Sequence, residues 1–499
     1  MFNANQLSLA LDRDGEEPIY RQLIRHIRSQ IDSGSLPSGA RLPASRELAD
    51  ALNISRISVV NAYAELRSEG YLSAHAGRGT FVSRETTPER PSDRPTLQTI
   101  KDHSNGSERS LRELMRMSRQ AGVISFGQGA PPGEMFPVQY LRDAINTVLD
   151  RDGANALGYE APEGYGPLRS AVRDYVSALG IRCTSSDILI TGGTQQALDM
   201  VIQSLLSEGE TLVTEDPTYI GMLDIGRTRR INVVGIPIDN EGIRLDILES
   251  FIIERQPRLI YVMPSFQNPT GTVMPLHRRR QLINLAHQYG VTILEDGVFH
   301  EFRFEGEHIP PLRALDEYGV VIHASGFTKM LLPGIRVGYV ISDSKHHQRL
   351  VRMKQSADIS TPGLNQRAIH IMLERGIMAL QLERNNREFR RRRDVAVEAA
   401  RKYFPSGTHF RIPLGGVYLW VHFPPHGPTA AEMYLAAIQK GVGYAIGNIF
   451  YAGAPDPYTM RLNYGLHKPA DIERGFKRLG EAWRDCAATY AEMDRGLLL

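Results

Sequence analysis

The sequence predicts a multidomain chain: a small α+β head at the N-terminus, a long α/β body on an open, mostly parallel sheet, and a smaller C-terminal α+β subdomain. Three observations predict it. The first eighty-odd residues run helix, helix, turn, helix, hairpin. Apolar periodicity then vanishes between Arg84 and about Arg112. From Ile124 onward, short buried strands alternate with helical stretches, the pattern of strands joined by crossover helices. At 499 residues the chain is also too long for one ordinary domain.

Composition narrows the class. Hydrophobic residues make up 42% of the chain, enough to fill a large core. No apolar run reaches the roughly 20 residues that a membrane helix needs. Cys183 and Cys486 are the two cysteines; they give neither a disulfide framework nor a metal spacing, and they suit a reducing cytosol. The start, Met1-Phe2-Asn3-Ala4, lacks a basic region followed by an apolar core. A cytoplasmic protein with no membrane partner and no metal is expected. With a net charge of +2, any nucleic-acid binding must come from a local patch.

In the head, Ile19, Leu23, Ile27 and Ile31 recur every four residues after Pro18, one stripe on a first helix. The turn-rich Leu36-Pro37-Ser38-Gly39-Ala40-Arg41-Leu42-Pro43 follows. Ser45 is expected to cap a short second helix with Leu48, Ala49 and Leu52. A turn at Asn53-Ile54 leads to Ser55, expected to cap a third helix whose Val59, Ala62, Tyr63 and Leu66 face inward. Tyr71-Leu72-Ser73 and Gly79 to Ser83 then read as a hairpin. This order is a winged helix-turn-helix, which places its third helix in the major groove of double-stranded DNA. Arg56, Ser58 and Asn61 are candidate base readers; Arg41, Ser45, Arg46, Arg78 and Thr80 suit phosphates or the minor groove. Met1 to Arg84 holds ten arginines, no lysine and nine acids, so basic character here depends on placement and not on bulk charge.

The stretch Gly39-Ala40-Arg41-Leu42-Pro43-Ala44-Ser45-Arg46-Glu47-Leu48-Ala49, with Ser55-Arg56-Ile57-Ser58-Val59 and Gly77-Arg78-Gly79-Thr80-Phe81-Val82, resembles the DNA-binding domain of GntR-family bacterial regulators. The resemblance implies DNA contacts from Arg41, Arg46, Arg56 and Gly77. Val60 stands where an arginine is common in other GntR branches; a hydrophobic residue there is usual in the MocR-like branch. The head is bounded at residues 1–83, with residues 84–115 as a Pro-, Ser- and Thr-rich tether and 116–499 as the body.

In the body, Ser325 to Tyr339 sets Lys329 beside Thr328, with Arg336 seven positions on, among small and apolar residues. A lysine in such a pocket loses solvation, its pKa falls, and its neutral amine can attack an aldehyde. Arg336 and the hydroxyls of Ser325 and Thr328 suit a phosphate. An aldehyde and a phosphate on one small molecule describe pyridoxal 5'-phosphate. Asp187 to Thr191 reads as a strand leading through Gly192-Gly193-Thr194 into a helix, an anion site of backbone N–H groups and helix dipole. Tyr219, Asn268 and Asp296 each stand at or just past the end of a further strand. Asp296 can keep a pyridine nitrogen protonated, Asn268 can donate to a phenolate, and Tyr219 can stack on a flat ring. Ligands of open α/β sheets bind beyond the carboxyl ends of strands, where all these residues are expected.

From Ile124 to Ala491 the chain resembles class I aminotransferases, of the pyridoxal-phosphate-dependent transferase fold type I. The resemblance implies Lys329 as the internal aldimine and the roles above for Asp296, Asn268 and Tyr219. It also implies phosphate contacts from Gly193, Thr194 and Arg336, with Tyr159 reaching in from a partner subunit. Tyr458 to Tyr464 matches the segment whose arginine grips a substrate carboxylate, here Arg461. Two departures stand out. Val298 and Phe299 occupy the positions of a tyrosine that usually binds the ring hydroxyl, and Gly326 replaces a usual hydroxyl, for which Ser325 or Thr328 can compensate. Beyond Arg336, a helical stretch is expected from Asn365 to Tyr403. Its arginine-dense Arg384 to Arg393 reads as a solvated face, with contact to DNA backbone or a partner subunit as the alternative.

A GntR head on an aminotransferase-like body resembles the MocR/GabR subfamily of regulators. That implies a head-to-tail homodimer binding an operator, and an amine or amino-acid effector that forms an external aldimine and alters DNA binding. An active aminotransferase with an autoregulatory head is the alternative reading. A body that has lost the cofactor and only dimerises is a third, opposed by the retained Lys329, Asp296, Asn268 and Arg336.

Overall fold

The computed structural model describes residues 19–32, 35–37, 39–68, 71–75, 79–82, 122–129 and 131–496. The expected tether and the hairpin residues Gly77 and Arg78 lie outside them. The chain divides into two compact units, Met1–Pro95 and Thr96–Leu499.

In the first unit, α1 (Ile19–Asp32), α2 (Ser45–Leu52) and α3 (Arg56–Ser68) precede an antiparallel hairpin of β1 (Leu72–His75) and β2 (Gly79–Val82). The four-residue stripe is what packs: Leu23, Ile27, Val59, Ala62 and Leu66 are fully buried in one cluster with Leu48 and Leu72. Asn53 ends α2 in the left-handed conformation that a C-cap favours. Ser55 caps α3, its hydroxyl accepting from the Ile57 N–H at 3.2 Å. Ser45 does not cap α2. It is the first helical residue; the N-cap position is Ala44, whose N–H donates to the carboxylate of Glu47 in the first turn at 3.1 Å. The connector also pairs with the hairpin: Arg41 bridges Phe81, and Leu42 N–H donates to Thr80 O at 2.9 Å.

The second unit holds an eight-stranded sheet in the order β4-β11-β10-β9-β8-β5-β6-β7. Its strands are β4 (Ile188–Thr191), β5 (Thr211–Asp216), β6 (Asn232–Asp239), β7 (Gly242–Ile243), β8 (Leu259–Val262), β9 (Thr292–Asp296), β10 (Val321–Gly326) and β11 (Gly338–Ile341). A two-stranded parallel pair, β3 (Ile124–Ser125) with β14 (Val442–Gly443), ties the entry segment to the C-terminal part. The run β10-β9-β8-β5-β6 is parallel, whereas β11 is antiparallel to both of its neighbours. Parallel strands covered on both faces need continuous apolar runs, and β8 is buried at every residue. A second, antiparallel sheet runs β12 (His409–Phe410), β13 (Tyr418–His422), β16 (Thr459–Asn463), β15 (Ala445–Ile446) and has its own core with Phe476 and Leu479.

Two expectations are corrected here. The stretch Asn365–Tyr403 is not one helix: it breaks between Gly363–Glu374 and Ile377–Tyr403, where Gly376 takes φ 70°. Nor is the arginine run one solvated face. Arg392 and Arg393 are buried, because Arg392 binds Glu388, Glu134 and Gly465 O, and Arg393 binds Glu305, Asp394 and Pro413 O. Arg387, Arg390 and Arg391 remain exposed.

Candidate functional site

The sheet delivers its polar groups to one cavity. Three residues at or beyond the carboxyl ends of parallel strands face it: Tyr219 after β5, Asn268 after β8 and Asp296 on β9. Thr328, Lys329 and Arg336 come from the loop between β10 and β11, and Thr194 from the start of the helix Thr194–Leu205. Arg461 and Tyr418 reach in from adjacent strands of the second sheet, where Trp420 and Arg461 are register partners. The cavity has a volume of about 290 Å³.

At its floor, Asp296 accepts from the Val298 N–H at 3.1 Å and the Tyr261 hydroxyl at 3.0 Å. Burial pushes its carboxyl up to about 6, against the lowering effect of those two donors and of His323. Lys329 Nζ donates to Gly129 O at 2.5 Å. Burial, then the nearby Arg461, lower its pKa to about 8, with Asp296 opposing and Arg336 assisting. The neutral amine is therefore accessible well below the pH an ordinary lysine requires. Trapping of Lys329 by a small aldehyde and borohydride, followed by mass spectrometry, is expected to rise about tenfold per pH unit and level off near pH 8. A rise continuing to about 10.5 would mean an ordinary lysine.

Arg461 is buried and has no carboxylate partner among the described residues. Its guanidinium donates to Asn268 Oδ1 at 2.8 Å and Gly127 O at 2.9 Å, its Nε has no partner, and the rings of Tyr418 and Phe450 lie 4.2 and 4.7 Å away. Tyr219 is held by its hydroxyl on Gln195 Oε1 at 3.0 Å.

The phosphate end is built differently. Gly193 caps its helix at φ 104°, a conformation that favours glycine, and a Cβ there would come 2.8 Å from an Arg336 guanidinium nitrogen and displace it. Thr194 Oγ1 and Thr328 Oγ1 are buried in the cavity wall without a hydrogen-bond partner. Two unpaired hydroxyls, a guanidinium and a helix N-terminus fit a phosphate dianion, and the Lys329, Asp296 and Asn268 set fits the remainder of pyridoxal 5'-phosphate.

Not every candidate comes to this wall. Ser325 sits opposite Tyr339 across β10 and β11 and hydrogen-bonds it, outside the cavity lining. Tyr159 is 86% exposed and does not line the cavity. Val298 and Phe299 do line the cavity, Phe299 edge-on to Tyr418 with centroids 5.5 Å apart. Tyr261, Tyr418, Gln195 and Gly129 were not singled out from the sequence. Tyr261 left one signal: a tyrosine inside an otherwise apolar strand needs a partner for its hydroxyl. In the head, Arg41, Arg46, Ser55, Arg56 and Asn61 are exposed, while Ser45, Ser58 and Thr80 are half-buried.

Residues 121–479 match the family model for aminotransferase class I and II, and residues 19–82 that for bacterial regulatory proteins of the gntR family. The HTH-type transcriptional regulator YisV of Bacillus subtilis, itself uncharacterized, is 30% identical across 95% of this chain and 97% of its own length. The chain belongs to the MocR-type regulators. The probable rhizopine catabolism regulatory protein MocR of Rhizobium meliloti is 28% identical over 95% of this chain and 96% of that protein. The body of this MocR-type chain is similar to the α-aminoadipate aminotransferase LysN of Thermus thermophilus, whose crystal structure holds N-(5'-phosphopyridoxyl)-L-leucine. Identity is 33%, the TM-score is 0.71, and 76% of this chain and 95% of that one are covered. The body thus has the fold of a pyridoxal-phosphate-dependent family. Among the described residues, no helix is long and apolar enough to cross a membrane.

Proposed function

We propose that this MocR-type chain is a pyridoxal 5'-phosphate-dependent, DNA-binding transcriptional regulator whose body senses a small amine or amino acid. One observation carries the reading: Lys329, Asp296 and Arg461 converge on a single cavity in a chain that also carries a GntR-type head. Gly193, Thr194, Thr328 and Arg336 would hold the phosphate, with Ser325 supporting their loop and Tyr159 of a head-to-tail homodimer adding a contact. Asp296 would keep the ring nitrogen protonated, Asn268 would bind the ring hydroxyl, and Tyr219 would lie on the ring. When bound, the cofactor supplies an aldehyde that takes a primary amine into reversible covalent linkage. Lys329, with its pKa lowered to about 8, presents a neutral Nζ far more often near neutral pH than an ordinary lysine does. Arg461 selects amines that carry a carboxylate. The head would contact DNA through Arg41, Ser45, Arg46, Ser55, Arg56, Ser58, Asn61, Gly77, Arg78 and Thr80. An effector switches the protein only if it binds one conformation of the body better than the other.

The test is Lys329→Ala. This protein is expected to bind its operator as the wild type does, but with no change in that affinity when amines are added. An unaltered response in the variant would overturn the reading. A working aminotransferase is the second reading, supported by the 33% identity to LysN and by the geometry of Lys329 and Asp296. Val298 and Phe299 weigh against it, since neither can bind a phenolate oxygen. Steady release of keto product from an amino acid would decide for the enzyme.

A further inference from the structure

The outer face of α3 is not the face a solvated helix presents. Its inner residues Val59, Ala62, Tyr63 and Leu66 are buried, and the Tyr63 hydroxyl ties the helix to Pro43 O at 3.0 Å. On the opposite side, Ile57 is 71% exposed and Val60 45% exposed, and Asn61 and Ala64 are exposed beside them. The spacing i, i+3, i+4, i+7 puts these four in one uncharged stripe. Two exposed β-branched residues in the first half of a short helix lower its helix propensity and leave apolar surface in water. Arg56 precedes the stripe on the same helix and Glu65 follows it, while Arg41 and Arg46 are exposed on the preceding segments beside the exposed acids Glu47 and Asp50. A partner with negative rails and an apolar feature between them is complementary to this surface.

We propose that Ile57 and Val60 read the C5-methyl groups of thymines in the major groove, with Asn61 beside them on the paired adenine. The proposal rests on the reading that the head binds operator DNA, and it specifies which base pairs are read. The thymine methyl is the apolar feature that the major groove displays, while an asparagine is geometrically suited to adenine N6 and N7. Arginine at position 60 would instead offer a fork to guanine; valine has only methyl groups to offer. The pairs that Ile57, Val60 and Asn61 meet are then A·T, with phosphates left to Arg41 and Arg46.

The experiment uses the full-length protein. Duplexes enriched by it from a random-sequence pool are resynthesised with deoxyuridine replacing one thymine at a time, which removes only the methyl group. Affinity is measured by fluorescence anisotropy at one salt concentration. One or two thymines per half-site are expected to show a loss of about three- to tenfold on demethylation. In Ile57→Ala or Val60→Ala, demethylation at the matching thymine is expected to cost less than about twofold, because the methyl has lost its partner. Both side chains are exposed, and the wild-type series needs no variant at all. Specific binding in which every demethylation is neutral would overturn the proposal while leaving the DNA-binding head intact. So would a penalty of equal size in wild type and both variants, which would place the methyl contact elsewhere. Failure to enrich any sequence would overturn the DNA-binding reading as well.

Discussion

Arg461→Ala is expected to lower the affinity for a carboxylate-bearing amine about 100- to 1,000-fold, roughly 3–4 kcal/mol. The size follows from how the guanidinium is held. It is buried, burial pushes its pKa down, and only carbonyl oxygens and the rings of Tyr418 and Phe450 offset its charge. An incoming carboxylate would be its first anionic partner, in a setting where water screens little. Arg461→Lys keeps a charge but loses the planar fork, and an intermediate loss of about 10- to 100-fold is expected. Titration with paired ligands checks the assignment: an amino acid and the corresponding amine without its carboxylate. The wild type should distinguish the two strongly and Arg461→Ala hardly at all. If the wild type gains nothing from the carboxylate, Arg461 has another role.

How far such roles can be read without coordinates depends on how local their cause is. Strands β4, β5, β8, β9 and β10 each carry a short apolar run (Ile188 to Ile190, Leu212-Val213, Leu259 to Val262, Ile293-Leu294 and Val321-Ile322), as a sheet covered on both faces favours, so the residues that follow them are placed as well. The placement of Thr194, Tyr219, Asn268, Asp296 and Lys329 at one cavity was legible for that reason. Tyr418 was not. It stands 89 residues beyond Lys329, and only the pairing of β13 with β16 brings its ring to Arg461 and the docking of their sheet brings both to the cavity. The arginines of Ile377–Tyr403 show the same limit: Arg391 and Arg392 are neighbours, yet Arg392 is buried because Glu134 and Gly465, distant in the chain, meet it. Ser45 failed more locally. Serine is a good cap, but Glu47 two residues later satisfies the Ala44 N–H, which sets the helix start one residue earlier than a serine cap would.

The second large effect lies behind the cavity, on the other face of β9. Glu295 and His323 are register partners on adjacent parallel strands, both buried, with Oε2 and Nδ1 2.8 Å apart. Glu295 also accepts from the N–H groups of Leu312 at 2.6 Å and Arg313 at 3.0 Å, so one carboxylate pins a neighbouring strand and a helix start. Its successor is Asp296, whose position depends on β9 staying in place. Glu295→Ala strands a buried imidazole and two buried N–H groups, and is expected to destabilise the body by about 3–5 kcal/mol. Both tryptophans, Trp420 and Trp483, are in the body, so their fluorescence in a denaturant titration follows it without a signal from the head. The pH dependence separates the contribution of the Glu295 carboxylate from that of a mere cavity. Burial alone would push the Glu295 carboxyl up, but His323 and the backbone donors outweigh it and hold the group near 2, below its ordinary 4.5. A carboxyl depressed on folding stabilises fully above its unfolded value and loses that contribution as pH falls through the folded one. The gap between wild type and Glu295→Ala should therefore be full at pH 7 and shrink as pH falls from 4.5 towards 2. A gap that stays constant across that range would mean the loss is packing alone.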